Sequence, residues 1–215
     1  MTIDGAKRGK MARPKSNNDP ALGALIRKRR KQLDLTLQAL CDDAGLSVGY
    51  LSQVERGQAT PSLGTLAQIA QGLSVELEYF IATPKPADSL SRGGARPQFS
   101  IDGSSILYES VGADFPGAEL SCYILHVPPG YASEVVHHEG EEIIFLLSGE
   151  ITQTLGGQSF ILQQGDSLHY SGSTPHSWSN ETQATTRILW TGTLSVLQRK
   201  GAVKLPEMNP ANTNG

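Results

Sequence analysis

Only two of the 215 residues are cysteine, Cys41 and Cys122, and neither belongs to a C-x-x-C pair. That leaves no basis for a disulfide framework and leads us to expect free, buried thiols in a reducing compartment. No apolar run approaches the roughly 18 to 20 residues that a bilayer-spanning helix needs. A membrane partner is therefore not expected. Lys7, Arg8 and Lys10 stand near the N-terminus, but no apolar stretch follows them as it would in a secretory leader, so a cytoplasmic location is expected. Charged residues are only 18% of the chain and apolar ones 38%, the balance of a soluble globular protein. The length admits one large domain or two modest ones, since domains commonly run about 100 to 150 residues.

What charge there is lies unevenly. Residues 1–31 hold Lys7, Arg8, Lys10, Arg13, Lys15, Arg27, Lys28, Arg29, Arg30 and Lys31 against Asp4 and Asp19, a balance of +8. Residues 84–215 hold 7 basic and 13 acidic groups, a balance of −6. One end attracts phosphate and the other repels it.

Residues 1–19 mix Lys, Arg, Gly, Asn and Pro with few apolar residues, which predicts a disordered basic arm. Helical spacing begins at Pro20 and runs through Leu22, Leu25, Ile26, Arg29 and Leu33. Thr36 is set to cap a second helix that ends at Gly45, and Ser47 a third that runs to Gly57. Pro61 and Ser62 open a fourth that stops near Gly72, and Val75 to Ile81 make a fifth. The spacing thus predicts five short helices over residues 20–82. Residues 83–98, rich in Pro, Ser and Gly, read as a linker. Beyond Gln98 come short β-branched and aromatic runs, among them Leu120 to Val127, Glu142 to Leu147, Ile151 to Leu155 and Thr186 to Thr191. Brief strands without helices between them predict an antiparallel sandwich or barrel over residues 99–200, followed by a flexible tail at 201–215.

A helix-turn-helix needs a first helix against the DNA backbone, a tight turn, and a second helix whose N-terminal residues enter the major groove. TLQALCDDAGLSVGYLSQVERG supplies these in order. Leu37, Leu40, Ala44, Leu46, Val48, Leu51 and Val54 are expected to bury the inner faces, leaving Ser47, Gly49, Tyr50, Ser52 and Gln53 outward. Amides and hydroxyls there can hydrogen-bond base edges. Arg27, Arg30, Gln38 and Arg56 are placed to reach phosphates and so to fix register. This stretch resembles the lambda-repressor-like, or xenobiotic-response-element, family of DNA-binding domains. The match covers about residues 20–82 and is most specific at Ser47, Tyr50, Leu51, Ser52, Val54, Glu55, Arg56 and Gly57. The resemblance implies that Ser47, Val48, Gly49, Tyr50, Ser52 and Gln53 sit in the groove of a double-stranded operator.

The C-terminal part resembles cupin barrels through two phrases, HEGEEIIFLLSGEI and GDSLHYSGSTPHSWSN. The first motif aligns on Gly130, Val136, His138, Glu142 and Gly149, and the second on Gly165, Ser171, Ser173, His176 and Asn180. Together the two resemblances imply an α+β multidomain chain: a five-helix lambda-repressor-like domain followed by an antiparallel β-barrel of the cupin, or double-stranded β-helix, type. They also imply a transcription regulator whose barrel senses a small-molecule effector. Alternate strand residues share a face, so positions 136, 138 and 142 fall together where pairing is regular, and His176 converges from another strand. His138, Glu142 and His176 would form a two-histidine, one-carboxylate set suited to a divalent metal such as Zn, Fe, Mn or Ni. Metal-binding cupins have a histidine where this chain has Val136, and His137 would replace it only if a bulge turned it inward. The alternative is that the three groups are hydrogen-bonding residues of an organic ligand's pocket, beside Trp178. Tyr123, Phe145 and Trp190 are expected to pack the barrel or line its mouth. Arg187, with its planar fork, is a candidate for a ligand carboxylate, and His126 and His169 have no expected role.

The rival reading is an enzyme. Hydroxypropylphosphonate epoxidases also join a helix-turn-helix-like domain to a cupin and hold iron with two histidines and a glutamate, which His138, Glu142 and His176 would match. In those enzymes a lysine of the helical domain contributes to the active site; here Asp34 stands at its position and cannot serve as a cation. A regulator is expected to act as a homodimer, since one recognition helix covers only a half-site. Replacing Gln53 or Tyr50 is expected to weaken specific operator binding while sparing much of the non-specific affinity. Unchanged affinity in a gel-shift titration would refute the groove assignment.

Overall fold

The computed structural model describes residues 21–193 apart from 76, 83–85, 87 and 114. The expected basic arm, the tail and part of the expected linker lie outside the described residues.

The N-terminal half is built from α1 (Leu22–Gln32), α2 (Leu37–Ala44), α3 (Val48–Glu55) and α4 (Leu63–Gly72). Local chemistry sets three of the four starts. Thr36 Oγ1 accepts from Ala39 N at 3.0 Å, Ser47 Oγ from Tyr50 N at 3.2 Å and Ser62 Oγ from Thr65 N at 3.2 Å. Such a cap contributes about 1 kcal/mol. α2 ends at Gly45, whose φ of 65° makes the tight turn into α3. Ile26, Leu40, Leu51, Leu66 and Ile69 are fully buried and form the core of this half. In place of the expected fifth helix the described residues show a single 3-10 turn, at Leu77–Tyr79. Ser74 takes a left-handed conformation, φ 53°, that closes α4, and the few residues before Ile81 include β-branched and aromatic side chains of modest helix propensity.

Arg30 departs from its expected role as a phosphate contact. Its Nε donates to Glu55 Oε1 at 2.7 Å, its Nη2 to Glu55 Oε2 at 2.9 Å and its Nη1 to the Leu35 carbonyl at 2.7 Å. All three nitrogens are thus engaged inside the domain, in a bidentate pair that ties α1 to α3 with both side chains largely buried. The Glu55 hydrogen bond outweighs burial and holds the guanidinium pKa above its ordinary value.

The described residues of the C-terminal half form nine strands: β1 (Gln98–Phe99), β2 (Leu107–Ser110), β3 (Ser121–Val127), β4 (Glu141–Ser148), β5 (Glu150–Leu155), β6 (Gln158–Gln163), β7 (Ser167–Ser171), β8 (His176–Ser179) and β9 (Thr186–Gly192). They form a six-stranded sheet in the order β1-β2-β3-β9-β4-β7 and a three-stranded sheet in the order β6-β5-β8. Every named pairing is antiparallel. The alternation on β4 is strict, with Glu142, Ile144 and Leu146 buried between Glu141, Ile143 and Phe145. Tyr108, Leu125, Val127, Ile151 and Ile188 complete the interior. The expected closed barrel is replaced by two sheets among the described residues. The chain leaves the larger sheet at Gly149, φ 86°, and the segment 131–138 meets β8 only through isolated bridges at Ala132–Ser179 and Val136–His176.

Replacing Arg30 with Ala is expected to cost about 3 kcal/mol, because Glu55 would remain buried without its partner. Urea denaturation of the purified variant checks this, and a loss below about 1 kcal/mol would show the pair to be incidental.

Candidate functional site

On α3 the inward residues are Leu51, Val54 and Glu55, and the opposite face is solvent-exposed. Ser47, Gly49, Gln53 and Arg56 are exposed there, and Ser52 is half-buried. Val48, expected on the inner face, is 38% exposed and joins them. Residues 48, 49, 52, 53 and 56 are spaced to share one side of a helix. Arg56 is held to that side by hydrogen bonds to the Ser52 hydroxyl and, at 2.9 Å, to Gln58 Oε1. Ser47 spends its hydroxyl on the cap, accepting from Tyr50 N. Gln38, exposed on α2, donates to Asp42 at 2.7 Å, and Arg27 is exposed on α1. Tyr50 departs from the expected outward position. Its hydroxyl is buried, and burial together with the nearby Glu134 carboxylate pushes its phenol far above the ordinary value.

The second site lies between the sheets. Glu142 on β4 is 5% exposed, and its two oxygens take separate partners. His138 Nε2 lies 2.8 Å from Oε1, and the Tyr170 hydroxyl donates to Oε2 at 2.6 Å. His176 Nε2 stands 3.8 Å from Oε2. His138 Nδ1 faces the Glu139 carbonyl at 3.0 Å and His176 Nδ1 the Thr174 carbonyl at 2.8 Å, so each ring presents Nε2 to the carboxylate. The pKa directions follow from the contacts. Burial works against the His138 imidazolium, but the hydrogen bonds to Glu142 and the Glu139 carbonyl prevail and raise its pKa. Burial likewise works against the Glu142 carboxylate, and His138 and Tyr170 prevail and lower its pKa. For His176 burial dominates and the pKa falls.

The ligating atoms of His138, Glu142 and His176 lie within 4.8 Å of one another, and all three residues are buried. Two imidazoles already oriented by backbone carbonyls and one carboxylate fit a divalent metal ion. Val136 occupies the position of the missing imidazole and is buried in the same wall, whereas His137 is exposed and its ring lies over Gly45. No bulge turns His137 inward.

A cavity of about 60 Å³ opens beside this cluster, lined by Tyr108, Tyr123, Leu125, Trp178, Trp190 and the site residues. About 10–15 Å³ already admits a water, so this cavity is large enough to be hydrated. Trp178 thus lies where expected beside the polar cluster, with its ring centre 4.9 Å from that of Tyr131. Arg187 departs from its expected place. On β9 the inward residues are Ile188 and Trp190, so Arg187 points to the other face of the sheet and is no wall of the cavity. Phe145 also lies on that outer face, and His126 pairs there with Glu109 at 2.6 Å. Two features escaped the sequence. Tyr170 completes the Glu142 shell from a strand that shows only as a short mixed run. Ser62, Leu63 and Gly64, at the start of α4, close the cavity from the helical half.

The sequence matches the helix-turn-helix family description over residues 26–80 and the cupin domain description over residues 123–192. The chain joins a helix-turn-helix domain to a cupin domain. Two bacterial relatives align with both halves of the chain. The chain is 27% identical over 183 residues to the HTH-type transcriptional regulator PuuR of Escherichia coli K12, covering 81% of this chain and 95% of that protein. It is 25% identical over 161 residues to the HTH-type transcriptional regulator SutR of the same strain, covering 74% and 86%. The structure of a helix-turn-helix family transcriptional regulator from Vibrio cholerae superposes with a TM-score of 0.51 at 24% identity, covering 80% and 94%, which shows a common fold.

The cupin cluster depends on one absent side chain. A Cβ at Gly172 would lie 2.4 Å from His138 Cε1 and Nδ1, so Gly172→Ala is expected to displace the imidazole from Glu142. A loss of about 1–3 kcal/mol in chemical denaturation is expected from the overpacking and the disturbed hydrogen bond. A fully stable variant with an unshifted His138 resonance would contradict it.

Proposed function

We propose that this chain is a sequence-specific DNA-binding transcription regulator that acts in the cytoplasm as a homodimer and senses a small-molecule effector in its cupin cavity. The observation that carries the reading is the exposed polar side of α3, set after the Gly45 turn of a matched helix-turn-helix domain and joined to a cupin with a partly polar cavity. Gln53, Ser52 and the backbone at Ser47 and Gly49 read base edges, while Arg27, Gln38 and Arg56 meet phosphates. Arg30 is left out of that set, since its donors are engaged. The two bacterial relatives that match across both domains are named transcription regulators, which favours this reading over an iron enzyme of the epoxidase kind. Ile143 and Phe145 are exposed along one face of β4, an apolar surface suited to a second copy. No helix among the described residues is long and apolar enough to cross a membrane.

The cavity offers two kinds of contact. His138, Glu142 and His176 form its polar end, and Trp178 with Tyr123 and Trp190 forms its apolar walls. A bound Zn, Fe, Mn or Ni ion would be held by those three residues and would supply a Lewis-acid anchor for a ligand oxygen. The chain's own groups orient the ligand and exclude water from it.

Zinc titration of the purified chain tests the metal part, with binding by the native protein expected. His138→Ala is expected to weaken it by at least the roughly 10- to 100-fold that loss of a merely orienting partner costs. No zinc binding by the native protein would leave the cluster as a hydrogen-bonding end for an organic ligand. His176→Ala is expected to keep operator affinity and to blunt the effector response. An operator duplex selected from a random pool tests the regulator reading itself, with log affinity expected to fall linearly with log salt. Failure to enrich any sequence would sink it.

A further inference from the structure

The extended segment 131–138 lies along the edge of β8. Ser133 N to the Trp178 carbonyl, Val136 N to the His176 carbonyl and His176 N to the Val136 carbonyl are each 2.9 Å. Successive side chains of an extended chain point to opposite sides. Val136 and His138 accordingly line the cavity, while Val135 and His137 are exposed. The same segment fastens the helical domain. Glu134 Oε1 accepts from Ser62 N at 2.8 Å and from the Thr65 hydroxyl, and the His137 carbonyl accepts from Gln68 Nε2 at 2.6 Å. Tyr50, on the recognition helix α3, has its hydroxyl buried beside Glu134. Residues 62–64 close the cavity on this side, and the hydroxyl of fully buried Tyr108 meets the backbone of Leu63.

We propose that the cavity is a site shared by the two domains: a compact organic ligand rests on the cupin walls and on residues 62–64 at once, and the 131–138 segment, fastened by Glu134, carries occupancy to α3. The proposal rests on the reading of the chain as a DNA-binding regulator. The walls define the ligand's chemistry as one hydrogen-bonding head group, directed at His138, Glu142 and His176, on a flat or aliphatic body between Tyr123, Trp178 and Trp190. A ligand that bears on residues 62–64 shifts the start of α4, and the hold of Ser62 and Thr65 on Glu134 shifts with it. The buried Tyr50 hydroxyl beside Glu134 then loses its place, and α3 shifts with it. Coupling of this kind is reciprocal, so DNA that repositions α3 also shifts the cavity walls.

That reciprocity allows a test without a known effector. The only two tryptophans of the chain, Trp178 and Trp190, both line the cavity, so their emission reports on it. The full-length protein is titrated with a labelled duplex selected from a random pool. Anisotropy reads binding, and tryptophan emission excited on the red edge reads the cavity. The native protein is expected to shift its emission as DNA saturates. Glu134→Ala is expected to bind the duplex and lose the shift, and Gln68→Ala to reduce it. Constant emission in the native protein at saturating DNA, or a native-sized shift in Glu134→Ala, would overturn the proposal. A selection that yields no bound duplex overturns the regulator reading instead, and the proposal with it, so the two failures are told apart. Should circular dichroism find Glu134→Ala unfolded, Glu134→Gln replaces it, with the same outcomes deciding.

Discussion

A carboxylate taken out of water costs several kcal/mol unless neighbouring donors replace its hydration. Glu142 imposes that requirement on the centre of the cupin domain. Its partners come from separate stretches of chain: Tyr170 from β7, His176 from β8 and His138 from the segment before β4. Both histidines are in turn oriented by backbone carbonyls, so the imidazoles have little freedom to rotate. An oriented polar end beside aromatic walls is what a selective small-molecule site needs. The gap between the two sheets is thus organised around one side chain.

The helical domain divides its charges between interior and surface. The pair of Arg30 and Glu55 is withdrawn from solvent and spent on holding α1 against α3. Arg27, Gln38, Gln53 and Arg56 stay exposed. A fixed internal pair and an exposed external set are complementary, because phosphate contacts position a reading helix only if the helix is itself held still. The domain junction follows the same economy of groups. Glu134 meets Ser62 and Thr65 at the start of α4, and the buried Tyr50 hydroxyl beside it belongs to the reading helix.

What could be read from the chain was what is encoded locally. Thr36, Ser47 and Ser62 mark helix starts within three residues of the amide they cap, and Gly45 marks its turn on its own. The β-branched runs of β3, β4, β5 and β9 announced themselves by composition, and His138, Glu142 and His176 by resemblance. The departures are all matters of tertiary partners. Arg30 looks like any basic helix residue until Glu55 is brought 25 positions back to meet it. Tyr50 reads as an outward polar residue of the motif, yet its hydroxyl is buried beside Glu134 of the other domain. Arg187 falls on the wrong face because a two-residue period does not say which side is inside until one neighbour is placed. Tyr170 and Glu134 carry no local signal of their importance. The 3-10 turn at Leu77–Tyr79 stands where an isolated short helix would have needed packing to survive.

The alternation along residues 131–138 also binds together two properties that could otherwise change independently. One side of the segment faces the cavity, and backbone and side-chain groups of the same few residues hold the helical domain. A single inserted or deleted residue would exchange the sides. His137 would come to the wall that Val136 now occupies, adding an imidazole beside His138 and Glu142. The same slip would move Glu134 out of register with Ser62 and Thr65. A gain of metal-binding strength by that route would therefore be tied to a loss of communication between the domains, so the two traits would have to be inherited as one.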